Sequence, residues 1–219
     1  MKIATAEQYT PEWWSARRGI PTASKFSTFC TPVEGKYSQS KTAHGYMCEL
    51  IASLYDPEYG IVEDFQTAAM RNGTILEPEA RRFYEFDRGV KVEQVGLCIT
   101  DDGRYGSSPD GLPGDGCLEI KSPIGKTQVD YLLAGVLPNA YKPQVHGHLL
   151  VTGRPWCDFL SYSPGLPELL VRVEPDAYTA KLGACLDQFC EELAEAISQI
   201  KAMVGPPPDT EPIDDTPLF

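Results

Sequence analysis

Ser108-Pro109-Asp110-Gly111, followed after a Gly-rich turn by Glu119-Ile120-Lys121, offers two carboxylates and an ammonium that a short hairpin can gather. Strand side chains alternate faces, so Glu119 and Lys121 project together while Ile120 enters the core. Asp110 ends the preceding arm. The intervening Gly111-Leu112-Pro113-Gly114-Asp115-Gly116 has the composition of a tight reversal, which brings Asp110 within reach of Glu119. Two carboxylates with the Ile120 backbone carbonyl between them make a hard oxygen site suited to one or two Mg²⁺ or Mn²⁺ ions. Lys121 can orient or deprotonate a water there. Orientation is the safer role, because an ammonium with an ordinary pKa of about 10.4 would have to be shifted down to act as a base. The set is suited to metal-assisted hydrolysis of a phosphodiester. The competing reading of an E-x-K triplet alone is a solvent-facing pair on an edge strand.

Other residues can join this chemistry. Glu77, in Gly73-Thr74-Ile75-Leu76-Glu77 at the start of a helix, can complete the metal shell, directly or through water. An ordinary first-turn glutamate favoured by the helix dipole is the alternative. Gln144, on a helix after the hairpin, can hold a water or a phosphate oxygen. Arg17 and Ser24 lie on either side of Thr22, where a new helix is expected to begin. Guanidinium, hydroxyl and free N–H donors there match the oxygens of a terminal phosphate. His146 and His148 are two apart on a helix and diverge, so they are expected to be partly buried structural histidines rather than ligands or a base.

These residues need a scaffold, and the patterning predicts one. A helical turn at Pro11–Trp14 precedes a Gly/Pro break and a helix from Thr22 or Ser24. Helices are expected over 41–54 and 66–86, the latter broken near Gly73 because Pro78 is tolerable only in a first turn. Val90 to Thr100 reads as one strand, returning at Tyr105–Pro109. Beyond the hairpin come helices at 129–135 and 141–151, a strand pair at 156–162 and 169–173, and a long amphipathic helix over 176–203. The fold class is α/β, a central mixed sheet flanked by helices. One domain is expected over 1–204, with a flexible acidic, Pro-rich tail over 205–219.

The chain carries 31 acids against 19 Lys and Arg, a formal charge of −12, which argues against a general nucleic-acid coating protein. Four of those acids (Asp209, Glu211, Asp214, Asp215) lie in the tail, and eleven of the 19 bases lie in residues 1–100, making the N-terminal half the better contact surface. Seven cysteines form no metal-spaced cluster, and an odd number without a signal peptide fits reduced thiols in a cytosol. No apolar run is long enough to span a bilayer.

The hairpin resembles the PD-(D/E)-x-K nuclease signature. With the rest of the body it resembles the phage lambda exonuclease family, the YqaJ-like viral recombinases. The blocks run in order: Trp13, Arg17 and Gly19; Thr22-Ala23-Ser24; Gly73 and Glu77; Ser108 to Gly111; Leu118 to Lys121; and Gln144 in Pro143-Gln144-Val145. The resemblance implies a restriction-endonuclease-like core and a ring-shaped homotrimer. It also implies 5′ to 3′ removal of mononucleotides from duplex DNA ends, leaving a 3′ strand for a single-strand annealing protein in the cytosol of a bacterial phage host. It makes Asp110, Glu119 and the Ile120 carbonyl metal ligands assisted by Glu77, and has Lys121 and Gln144 position the water. Arg17, Thr22, Ser24 and Ser108 then serve the 5′-phosphate. Met70 falls where the family carries an apolar wedge, a core methionine being the alternative. Where a relative places an arginine on DNA, this chain has Pro32-Val33-Glu34-Gly35-Lys36, and only Lys36 can substitute. The Asp-Asp-Thr-Pro-Leu-Phe ending is similar to the acidic tails of single-strand-binding proteins, so the tail is either a partner-docking strip or a linker. Two rival functions stand beside the exonuclease: a structure- or sequence-specific endonuclease on the same core, and an inactive DNA-end adaptor.

Overall fold

A computed structural model describes residues 1–4, 6–56 and 68–208. In chain order the elements are β1 (Lys2–Ala4), α1 (Pro11–Ala16), a 3-10 helix (Ala23–Thr28), α2 (Lys41–Tyr55), α3 (Ala68–Arg88), β2 (Val92–Glu93), β3 (Leu97–Ile99) and β4 (Gly106–Ser107). There follow β5 (Leu112–Pro113), β6 (Cys117–Lys121), α4 (Gly125–Ala134), a second 3-10 turn (Asn139–Tyr141), α5 (Lys142–Thr152), β7 (Cys157–Ser161), β8 (Leu169–Val173) and α6 (Ala177–Val204).

The strands form three patches ordered β1-β3-β4, β2-β5 and β6-β7-β8. β6 runs parallel to β7, which pairs antiparallel with β8, so the last patch is mixed. A parallel pair needs a long crossover, here supplied by α4 and α5. β6 is buried on both faces. Leu118 and Ile120 pack with Ala80 and Tyr84 of α3 and Leu160 of β7. Cys117, on the opposite face, joins Val145, Leu149 and Phe159. A third cluster ties the first 3-10 helix, α2 and α6 together, with Phe29 stacked on Phe189 at 4.1 Å between ring centroids.

α5 lies directly on the first 3-10 helix. A Cβ at Gly147 would come within 2.8 Å of the Phe26 ring, so only glycine permits the approach. α5 ends at Gly153 with φ 66, and α6 starts on Asp176, whose carboxylate accepts from the N–H groups of Tyr178 and Thr179.

Three expectations are corrected. α3 runs unbroken through Gly73 and carries Pro78 inside it. Burial of Ala80, Arg81 and Tyr84 outweighs the roughly 3 kcal/mol that an interior proline costs. The stretch 90–100 is two strands in different patches, because at Gly96 a Cβ would lie 2.0 Å from the Ala6 carbonyl oxygen, leaving room only for a bare backbone. The segment after Thr22 is a 3-10 helix without a side-chain cap, since the Thr22 hydroxyl is engaged by Arg17. The helix start expected at Gln66, and the acidic Phe-ended sequence from Asp209 onward, lie outside the described residues. No helix among the described residues is long and apolar enough to cross a membrane.

Candidate active site

The hairpin forms as the turn composition requires. Asp110 N–H donates to the Leu118 carbonyl (3.0 Å) and Leu118 N–H to the Gly111 carbonyl (2.9 Å). Gly111 is obligatory at this crossing, because a Cβ there would sit 2.0 Å from Val92. Ile120 N–H then donates to Asp110 Oδ2 at 2.6 Å. In an extended strand a residue's N–H and C=O point to the same side, so the Ile120 carbonyl faces the edge that Asp110 occupies. On the other face of β6, Lys121 Nζ forms an ion pair with Glu119 Oε1. Asp110, Glu119, Lys121 and the Ile120 carbonyl are thus gathered at one strand end.

Glu119 is fully buried, and its second oxygen, Oε2, lies 2.6 Å from His148 Nε2. His148 Nδ1 is in turn 2.5 Å from the Ser107 hydroxyl on β4. His146 does diverge, to the Thr179 hydroxyl at 2.8 Å. Both histidines are fully rather than partly buried, and His148 belongs to the carboxylate centre. Gln144 and His148 are one helical turn apart on α5, a spacing that could have drawn attention to His148. Gln144 itself is half-buried and hydrogen-bonds none of the charged groups. Tyr141, three residues before it, lies under Lys121 Nζ at 5.4 Å from its ring centroid.

Glu77 is held by Arg81, one turn later on α3, so it stands near the centre without closing it. Among the described residues no three His, Cys, Asp or Glu side chains are arranged to hold a metal. The available donor set is therefore Asp110, Glu119 and the Ile120 carbonyl, all hard oxygens, which fits a divalent cation such as Mg²⁺ or Mn²⁺. Electrostatics point the same way. Burial pushes the Asp110 carboxyl well above the usual carboxylate range, and Glu119 pushes it further. Burial also raises Glu77, with Glu119 adding to it against Arg81. For Glu119 burial is outweighed by Lys121 and His148, which hold it below the ordinary value. Burial lowers Lys121, but Glu119 and Asp110 more than reverse this, so the ammonium keeps its proton. In that state it can orient a water and stabilise negative charge.

A second cluster lies beside the first. Ser108 Oγ accepts from Trp13 Nε1 (3.1 Å) and Arg17 Nη1 (3.3 Å), and Arg17 Nη2 donates to Thr22 Oγ1 (2.8 Å). The Arg17 guanidinium lies over the Trp13 ring at 4.2 Å. Its hydroxyl partners are Thr22 and Ser108, whereas Ser24 is exposed on the 3-10 helix and does not join them. Lys36 pairs with exposed Glu34 at 2.9 Å, on a loop packed through Gly35 against Tyr178 and Lys181 of α6. It does not join the site. Met70 lies on the first turn of α3, and its side chain is outside the described set.

Tyr9 was not singled out by type or spacing, yet its ring packs on Trp13 at 5.4 Å. Its hydroxyl lies in the field of Asp110, Glu77, Lys121 and Glu119.

A model of the YqaJ-like viral recombinase domain matches residues 12–155. The structure is similar to that of an alkaline exonuclease, LHK-Exo, from Laribacter hongkongensis: 35% identity and TM-score 0.76 over 89% of this chain and 97% of that one. A structure of LHK-Exo in complex with dAMP gives 34% and 0.75 over the same shares. A phage-related exonuclease from Haemophilus somnus, 13% identical with TM-score 0.59 over 83% of this chain and 96% of that one, shares the fold. No protein of curated function matches the chain.

Proposed function

Since the chain belongs to the family of YqaJ-like viral recombinase domains, we propose that it is a divalent-metal-dependent exonuclease working from the 5′ ends of linear duplex DNA. Nuclease activity follows from the family and from the likeness to an alkaline exonuclease. Strand polarity, ion and assembly are the proposed part. The observation that carries the proposal is the pairing of two clusters, an unbalanced carboxylate centre and an Arg-Ser-Thr donor cluster beside it.

Asp110, Glu119 and the Ile120 carbonyl would hold Mg²⁺ or Mn²⁺, with Glu77 assisting from its place beside Arg81. When bound, the ion neutralises phosphate charge and makes water a better nucleophile. Lys121, kept protonated by Glu119, faces the charge that builds on the phosphoryl oxygens. Gln144 orients the attacking water. Arg17, Thr22 and Ser108 grip a 5′-phosphate through charge-assisted hydrogen bonds. The products are 5′-mononucleotides, the chemical class to which the dAMP bound by the relative belongs. A ring-shaped homotrimer, delivery of the 3′ strand to an annealing protein, and action in a bacterial host cytosol complete the proposal.

The test is digestion of linear duplexes labelled at either end, with and without a 5′-phosphate, in Mg²⁺, Mn²⁺ and EDTA. Loss of the 5′ label first, dependence on the terminal phosphate and silence in EDTA are expected. Nicking of a closed circular duplex would replace this proposal with an endonuclease.

A further inference from the structure

Tyr9 packs on Trp13, in a loop whose Gln8 is bound to the carbonyl of Pro109, the residue between Ser108 and Asp110. Tyr9 has a backbone φ of 70 and is the sole non-glycine residue among the described ones in the left-handed region. A bulky residue adopts that conformation only when its surroundings impose it. They do so from both sides. Gln8 Nε2 donates to the carbonyls of Val95 and Pro109, each at 2.9 Å, pinning the loop to the arm that leads into Asp110. Thr10 caps α1 immediately after. One side of the Tyr9 ring rests on Trp13, the residue that shares Ser108 with Arg17, and 51% of the residue stays open to solvent.

We propose that Tyr9 is a substrate-contacting residue: its ring seats the 5′-terminal nucleoside. This rests on the exonuclease reading above. On a 5′-phosphorylated strand, one nucleoside separates the terminal phosphate from the next. With the terminal phosphate on Arg17 and Ser108 and the next at the carboxylates, a ring packed on Trp13, in a loop that Gln8 pins to the Pro109 carbonyl between Ser108 and Asp110, faces that nucleoside. An aromatic face suits the task because every base and sugar presents a surface it can pack against, whatever the sequence.

The test uses the full chain with Tyr9→Phe and Tyr9→Gly, the glycine being at ease at this φ. The probes are deoxyadenosine 5′-monophosphate and inorganic phosphate, titrated by calorimetry. Tyr9→Gly is expected to weaken the mononucleotide by about tenfold while leaving inorganic phosphate unchanged. Tyr9→Phe, which keeps the ring, is expected to keep the mononucleotide affinity. Equal weakening of both probes in Tyr9→Gly would show damage to the phosphate cluster and overturn the inference. So would wild-type affinity in Tyr9→Gly, or a loss of about tenfold in Tyr9→Phe. If the wild-type chain binds neither probe and leaves linear duplex intact, the exonuclease reading falls and this inference with it.

Discussion

Two buried acids lie on adjacent strands of one sheet and meet opposite fates. Asp158, on β7, accepts from the Tyr84 hydroxyl at 2.8 Å and takes a two-pronged grip from Arg172 at 2.8 and 2.9 Å. Arg172 in turn stacks over Trp156 at 3.7 Å. The charge is matched one for one, and the cluster is closed. At the end of β6, Glu119 is paired with Lys121, Asp110 lies in the field of the same ammonium, and Glu77 stands close enough to add to the negative charge. Burial is alike in the two places, whereas the face of the sheet and the charge balance differ. A matched acid fastens β7 to β8 and α3, while a surplus of carboxylate leaves a strand end that favours an added cation.

That contrast can be broken by substitution. Asp110→Asn is expected to lower nucleotide release by about a thousandfold. Its melting temperature should equal or exceed that of the wild type, because the raised carboxyl is costly to ionise in the fold and the amide keeps the acceptor for Ile120 N–H. A fully active, less stable variant would erase the distinction. Asp158→Asn should do the reverse, losing about 2 kcal/mol in denaturant unfolding while keeping the wild-type cleavage rate at low temperature. His148→Gln sharpens the boundary between the two behaviours. With the Glu119 carboxylate less firmly held, Mn²⁺ affinity by calorimetry should drop about tenfold. The smallest effect concerns His146, which burial pushes below its ordinary value more than Asp176 raises it. The unfolded chain therefore takes up this proton first. Stability from this residue is whole above about pH 6.5 and declines as pH falls toward the lower folded value. Denaturant midpoints at pH 7.5 and 5.5 should show a drop that His146→Asn makes shallower.

The carboxylate centre was legible because it rests on local rules. Period-two alternation puts Glu119 beside Lys121, and a Gly-rich reversal brings Asp110 back against Ile120. The helices expected over 41–54, 141–151 and 176–203 form at 41–55, 142–152 and 177–204, the last legible from its apolar spacing. What escaped was set by contacts distant in sequence. The split of 90–100 depends on Ala6 pressing on Gly96, and the continuity of α3 through Pro78 depends on the sheet beneath it. His148 and Tyr9 carry no motif and lie on elements far from the hairpin in the chain, and Ser107, although it directly precedes the motif, is tied to Glu119 only through His148. The resemblance named Arg17, Thr22, Ser24 and Ser108 for a 5′-phosphate; in the fold Arg17 hydrogen-bonds to Thr22 and Ser108, and Ser24 is exposed on the 3-10 helix.

The ammonium of Lys121, already seated on Glu119, has one more consequence. It acts as a built-in counter-ion, so the strand end can assemble without waiting for a cation from outside. Chelation should then silence the chemistry while leaving the chain folded, the melting curve falling only by the linkage lost with the ion, and returning the ion should restore turnover at once, with no refolding lag.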